Sequence, residues 1–197
     1  MLILVWGEIN ENAKDFRKLK NTTSQKNTDW NSFYLDIASE KVKNVLKSRI
    51  KNIFYLGYDG LFLDNIDNYT SFGPQYHLQQ NLVQFIYSIR NDFPNKTLVQ
   101  NAGLEILNLL HTKIDYVLVE SVFTEYNFAQ QKYQLREAKF QIERLNLLKD
   151  KISKFNIKPL LLEYAVDPKM VKTIRKNSRK EKLPIIISEI SLQNLPK

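Results

Sequence analysis

The sequence predicts an α/β fold, a TIM-like (β/α) barrel of parallel strands, as a single domain over residues 1–197. Short, continuously apolar runs alternate with segments of helical period, the pattern of parallel βα units. No glycine-rich phosphate loop follows any run, which disfavours a dinucleotide-binding open sheet. Acidic or amide side chains recur where the runs end, as they do on the active face of a barrel.

The elements follow in order. Residues 2–6 are apolar with no basic start and no small-residue cleavage site, so they read as a buried strand rather than a signal peptide or a membrane span. A chain opening on a core strand suggests a missing upstream segment. Residues 21–29 are polar and read as loop, and residues 33–35 as the next strand. After Ser39 as cap, Val42, Val45, Leu46, Ile50 and Ile53 form a helical stripe. Asp59 and Gly60 turn the chain tightly into a strand at 61–63, and Leu78, Leu82, Phe85, Ile86 and Ile89 mark a second helix. Strands at 97–100 and 116–119 precede a third stripe, Ala138, Ile142, Leu145, Leu148 and Ile152. A strand at 159–162 leads to Asp167 and Pro168, a cap with proline at the first helical position, and a last strand covers 184–187. These are seven runs where a closed barrel needs about eight, so the expected barrel is incomplete at its N-terminus.

Composition bounds the chemistry. The chain is 43% hydrophobic and 25% charged, a globular balance, and has no cysteine, so disulfides, thiolate metal sites and cysteine nucleophiles are excluded. The net charge is +8, with a cluster at Lys169, Lys172, Arg175, Lys176, Arg179, Lys180 and Lys182. No aromatic platform or nucleic-acid motif accompanies that cluster, so it reads as a solvated helix face and no nucleic-acid partner is expected. His77 is expected to border a helix and His111 to end one, and neither receives a role.

The chemistry gathers at strand ends. Gly7-Glu8, Asp36, Asp64-Asn65 with Asp67, Asn101, Glu120 and Glu163-Tyr164 each follow an apolar run. Period-two alternation sets Phe62 with Asp64 on one face, and Tyr116 and Leu118 with Glu120. Two carboxylates in one apolar-walled cleft can be driven to different protonation states, as glycoside hydrolysis requires. Asp64, Asp67, Glu120 and Asn101 are also hard oxygen ligands, which keeps a divalent metal open as the competing chemistry.

The run Gly57 to Tyr69 resembles the signature of glycoside hydrolase family 114, the endo-α-1,4-polygalactosaminidase-like barrels. Gly7-Glu8, Gln100-Asn101-Ala102-Gly103, Val119-Glu120-Ser121-Val122-Phe123 and Glu163-Tyr164-Ala165 match in the family's order, although Glu163 stands where the family has Asp. The resemblance implies a hydrolase of α-1,4-linked galactosamine polymers, with Asp64 as nucleophile and Glu120 as general acid/base; endo action and retention are expected, and inversion stays open because the distance between the carboxylates decides it. It implies sugar subsites lined by Glu8, Asp67, Asn101 and Tyr164, with Tyr69 able to stack on a ring. Asp36 joins them as an acidic rim residue, together with Glu163, suited to a cationic sugar. No cofactor or metal is implied, and no membrane insertion. The site of action is left open, extracellular or periplasmic if an export segment has been lost. The alternative expectation is an inactive, carbohydrate-binding or partner protein built on a truncated barrel.

Overall fold

A computed structural model describes the backbone of residues 2–5, 7–28 and 30–192, and side chains from Gly7 onward within those ranges. Trp6 and Asp29, the ends of the first expected strand and the first expected loop, lie outside the described residues. The chain divides into two compact units, residues 1–115 and 116–197.

In the first unit, strand β1 (Leu2–Val5) is followed by β2 (Glu8–Asn10), the short helix α1 (Phe16–Leu19), β3 (Thr23–Asn27) and β4 (Ser32–Leu35). Helix α2 (Glu40–Tyr55), β5 (Gly60–Asp64), α3 (Gln79–Asp92), β6 (Thr97–Asn101) and α4 (Leu107–Leu110) complete it. Strands β1, β5 and β6 run parallel, with Val5 beside Asp64 and Leu63 beside Gln100. Leu61, Phe62, Leu63, Leu98 and Val99 are buried, as strands covered on both faces must be. The expected stripes do the covering: α2 buries Val42, Leu46, Ile50 and Ile53, and α3 buries Leu82, Val83, Phe85, Ile86 and Ile89. Ser39 occupies the cap position of α2 without a side-chain hydrogen bond there.

Two expectations fail in this unit. Residues 33–35 were expected as a parallel barrel strand, but β4 pairs antiparallel with both β2 and β3. Residues 23–27, expected as loop, form β3, whose residues are exposed or half-buried and so carry no apolar period for a sequence reading to detect.

In the second unit, β7 (Tyr116–Glu120) leads into a hairpin of β8 (Thr124–Asn127) and β9 (Lys132–Leu135), then α5 (Ala138–Phe155), β10 (Lys158–Tyr164), α6 (Pro168–Glu181) and β11 (Ile185–Ser188). Strands β7, β10 and β11 are parallel, with Glu120 beside Leu162 and Tyr164 beside Ser188. Helix α6 begins as expected: Pro168 is its first residue, and the Asp167 carboxylate accepts from Met170 N at 2.9 Å. Helix α5 departs from expectation, burying Leu145 and Leu148 while Ile142 is 56% exposed.

Candidate active site

Each unit carries its own cluster at the ends of its parallel strands. In the first, Asp64 closes β5, and Asn101 closes the adjacent β6. Asn101 Nδ2 donates to Asp64 Oδ1 at 2.9 Å, and Asn65 N donates to the same oxygen at 3.0 Å. Asn65 also reaches Glu8 through its side chain, Nδ2 to Oε1 at 3.4 Å, so one residue bridges two carboxylates. Glu8 is only 6% exposed and accepts further from Asn68 Nδ2 at 2.9 Å, from Asn27 Nδ2 at 3.2 Å and from Ser32 Oγ. All these donors are neutral. Among the described residues neither Glu8 nor Asp64 is paired with a lysine or arginine, and both carboxyl groups are oriented by neutral donors.

Close packing explains the glycine before Glu8. A Cβ on Gly7 would stand 2.6 Å from Gln75 Oε1 and 3.0 Å from Tyr69 Oη, so a side chain there would require the Gln75 amide to move and the buried Tyr69 to give way. The same packing seals Tyr69. It is 0% exposed, and burial followed by the nearby charges of Glu8 and Asp36 pushes its phenol well above the ordinary value. The expectation that Tyr69 stacks on a sugar is therefore corrected, because its ring presents no face to solvent. Asp36 is exposed, follows an antiparallel strand, and accepts from Ala38 N at 2.9 Å, a turn ahead of α2. It is a local turn residue rather than the end of a parallel strand. Asp67 is exposed on the 3-10 turn Ile66–Tyr69 that follows β5.

In the second unit Glu120 closes β7, and the Tyr164 hydroxyl at the end of β10 donates to Glu120 Oε2 at 2.6 Å. Tyr164, expected to line a sugar subsite, is 5% exposed and its polar end is directed to the carboxylate. Glu163 is 0% exposed, which corrects its expected place on an acidic rim. Its carboxylate accepts from Val122 N (2.7 Å), Phe123 N (3.0 Å), Thr124 N (2.9 Å) and Thr124 Oγ1 (2.7 Å). Burial pushes the Glu163 carboxyl up, while donation from Thr124, Phe123 and Val122 pulls against that shift.

A shared backbone device ends three of these strands. Asn65, Ala102 and Ser121, each directly after Asp64, Asn101 and Glu120, adopt φ of 59°, 55° and 56°. For alanine and serine this left-handed geometry costs on the order of 1–2 kcal/mol, and it turns the chain sharply away just past the strand-end side chain. Only the asparagine announces such a bend in sequence.

Sequence reasoning missed the ring of Asn27, Ser32 and Asn68 around Glu8. The one available signal was the pair Asn65 and Asn68 around Ile66-Asp67 in a loop after a strand. Among the described residues no group of three or more histidine, cysteine or acidic side chains is assembled for a metal, and no helix is long and apolar enough to cross a membrane. His77 lies in the 3-10 turn before α3, and His111 caps α4. A shallow groove runs along α6, lined by Val166, Val171, Lys172, Arg175, Lys176 and Arg179 among others, and includes none of the strand-end carboxylates. The charge is unevenly divided: residues 1–115 hold 13 Lys and Arg against 12 Asp and Glu, and residues 116–197 hold 16 against 9.

Comparison with known proteins sets these clusters in a lineage. The model of glycoside-hydrolase family GH114 matches residues 5–195. The solved glycoside hydrolase domain of PelA from Pseudomonas aeruginosa aligns over 99% of this chain and 79% of its own, at 23% identity and a TM-score of 0.84. Ega3 of Aspergillus fumigatus, solved in complex with galactosamine, aligns over 100% of this chain and 77% of its own, at 14% identity and a TM-score of 0.75. Curated proteins offer no match to the sequence. The likeness establishes the α/β, TIM-like fold class expected from the alternation of runs and stripes.

Proposed function

This chain belongs to glycoside-hydrolase family GH114 and is a glycosidase, and from that premise we propose that it cleaves an α-1,4-linked, galactosamine-containing polysaccharide within the chain and with retention. Asp64 attacks the anomeric carbon as nucleophile while Glu120 protonates the departing glycosidic oxygen. Glu120 then takes a proton from the water that releases the sugar from Asp64. No cofactor takes part.

The observation that carries this reading recurs in both units. A carboxylate ends one parallel strand, and a side chain at the end of the adjacent strand donates to it: Asn101 to Asp64 and Tyr164 to Glu120. A nucleophile and a proton donor must both be held in one orientation to act, and these are the strand-end carboxylates so held. The polymer assignment is supported by Ega3, which was solved with galactosamine. It is also supported by Glu8 and Asp64, acidic side chains with no lysine or arginine partner among the described residues, which suit a cationic amino sugar. Asp67, exposed on the turn after Asp64, is proposed as a further acidic subsite residue.

Hydrolysis of a galactosamine-rich polymer, followed by product sizing and by proton NMR of the anomeric signals in the first minutes, tests the proposal. Oligosaccharides of mixed length carrying the α-anomer first are expected. The β-anomer appearing first would replace retention with inversion. Polymer held by the folded protein without new reducing ends would favour a binding-only barrel.

A further inference from the structure

We infer that the β8–β9 hairpin is a carbohydrate-binding platform for cationic pyranose units, a subsite separate from the carboxylates; its ligand class rests on the galactosamine reading above. The chain passes directly from Glu120 at the end of β7 to Thr124 at the start of β8. The base of the hairpin is fixed twice: Glu163 gathers the amides of Val122, Phe123 and Thr124, and Arg136 N donates to Phe123 O at 2.9 Å.

From that base an aromatic strip leads outward. Alternation sets Thr124 and Tyr126 on one face, and the register sets Tyr133 opposite Tyr126. The Tyr126 ring lies 4.8 Å from Tyr133 and 5.0 Å, edge-on, from Phe128. Exposure rises along the strip, from Thr124 at 0% through two half-buried tyrosines to Phe128 at 66%.

The tyrosine pair alone accounts for a cross-strand contribution to the hairpin. Phe128 adds little to the fold at that exposure, and a large exposed aromatic beside two others is the informative departure. The rings are also open to a cation. Lysines lie over Phe33, Phe54, Tyr87, Tyr116, Phe140 and Phe155, yet among the described residues none lies over Tyr126, Phe128 or Tyr133, although Lys132 is adjacent in sequence. A galactosamine unit offers a C–H face for stacking and an ammonium for the ring quadrupole, and the Tyr126 hydroxyl supplies a polar end, while that of Tyr133 accepts from Ile190 N at 3.1 Å.

Affinity electrophoresis of the full chain in gels containing partly deacetylated galactosamine polymer tests the platform, with Phe128→Ala, Phe128→Trp and melting curves for each. The expected result is retardation by the parent, a loss of about threefold or more in affinity for Phe128→Ala at unchanged melting temperature, and recovery in Phe128→Trp. Retardation should weaken when the polymer is fully N-acetylated. Equal retardation of the parent and Phe128→Ala, or no retardation of the parent, overturns the inference. Reducing-end release by the parent, measured in parallel, decides the hydrolase reading separately.

Discussion

Asn101 and Tyr164 stand at strand ends where the sequence suggests sugar contacts, and in the structure both donate to carboxylates. For Tyr164 the difference can be measured. If it positions Glu120, Tyr164→Phe removes one hydrogen bond from the carboxylate and lowers kcat about tenfold with KM little changed, since one hydrogen bond to a charged group is worth roughly 1.5 kcal/mol or more. A raised KM at constant kcat would return Tyr164 to substrate binding. The places of Asp64 and Glu120 at the ends of parallel strands were legible from sequence because each follows a short, continuously apolar run. Tyr69 and Glu163 were not legible, because a polar residue after a strand looks the same whether it faces a cleft or the interior. What separates them is tertiary: Gly7 packs against the Tyr69 hydroxyl, and backbone amides of 122–124 surround Glu163.

At the scale of elements, the helices and parallel strands with strong apolar period were read within a few residues, whereas of the antiparallel pieces only β4 was located, and its direction was misread. Strand β3 has no apolar alternation, and the β8–β9 hairpin draws its order from Glu163 as much as from its own sequence. That dependence has a pH signature. Glu163→Gln leaves a single acceptor oxygen facing four donors, and an expected cost of about 1–3 kcal/mol in unfolding free energy follows. Because burial raises the folded carboxyl above its ordinary value, the folded state holds more proton than the unfolded one just above that value. The stability of the parent therefore falls as pH rises through this window, whereas the variant has no such titration. Denaturant unfolding from acid to neutral pH should show the gap between parent and variant narrowing. A gap that widens would mean that the amide donors outweigh burial.

For the molecule as a whole, the net charge of +8 opposes long-range attraction of a polycation, and its distribution eases the conflict for Glu8 and Asp64 but not for Glu120 or the β8–β9 hairpin, which belong to the basic part. Nearly all of the excess belongs to residues 116–197, much of it on α6, while residues 1–115, which hold Glu8 and Asp64, are close to neutral. A local field can then differ in sign from the net charge. Fold class and family were legible because the alternation of apolar runs and stripes, and the order of the strand-end motifs, are properties of the chain. The linear sequence left unseen the donors around Glu8, which come from four separate places between Asn27 and Asn68. The most direct test of the central claim is reducing-end release from a galactosamine-rich polysaccharide by the parent, Asp64→Asn and Glu120→Gln, with melting curves to establish folding. The account predicts release by the parent and a loss of at least about a thousandfold in each folded variant, as removal of an activated nucleophile or proton donor requires. Release that survives either substitution would contradict it.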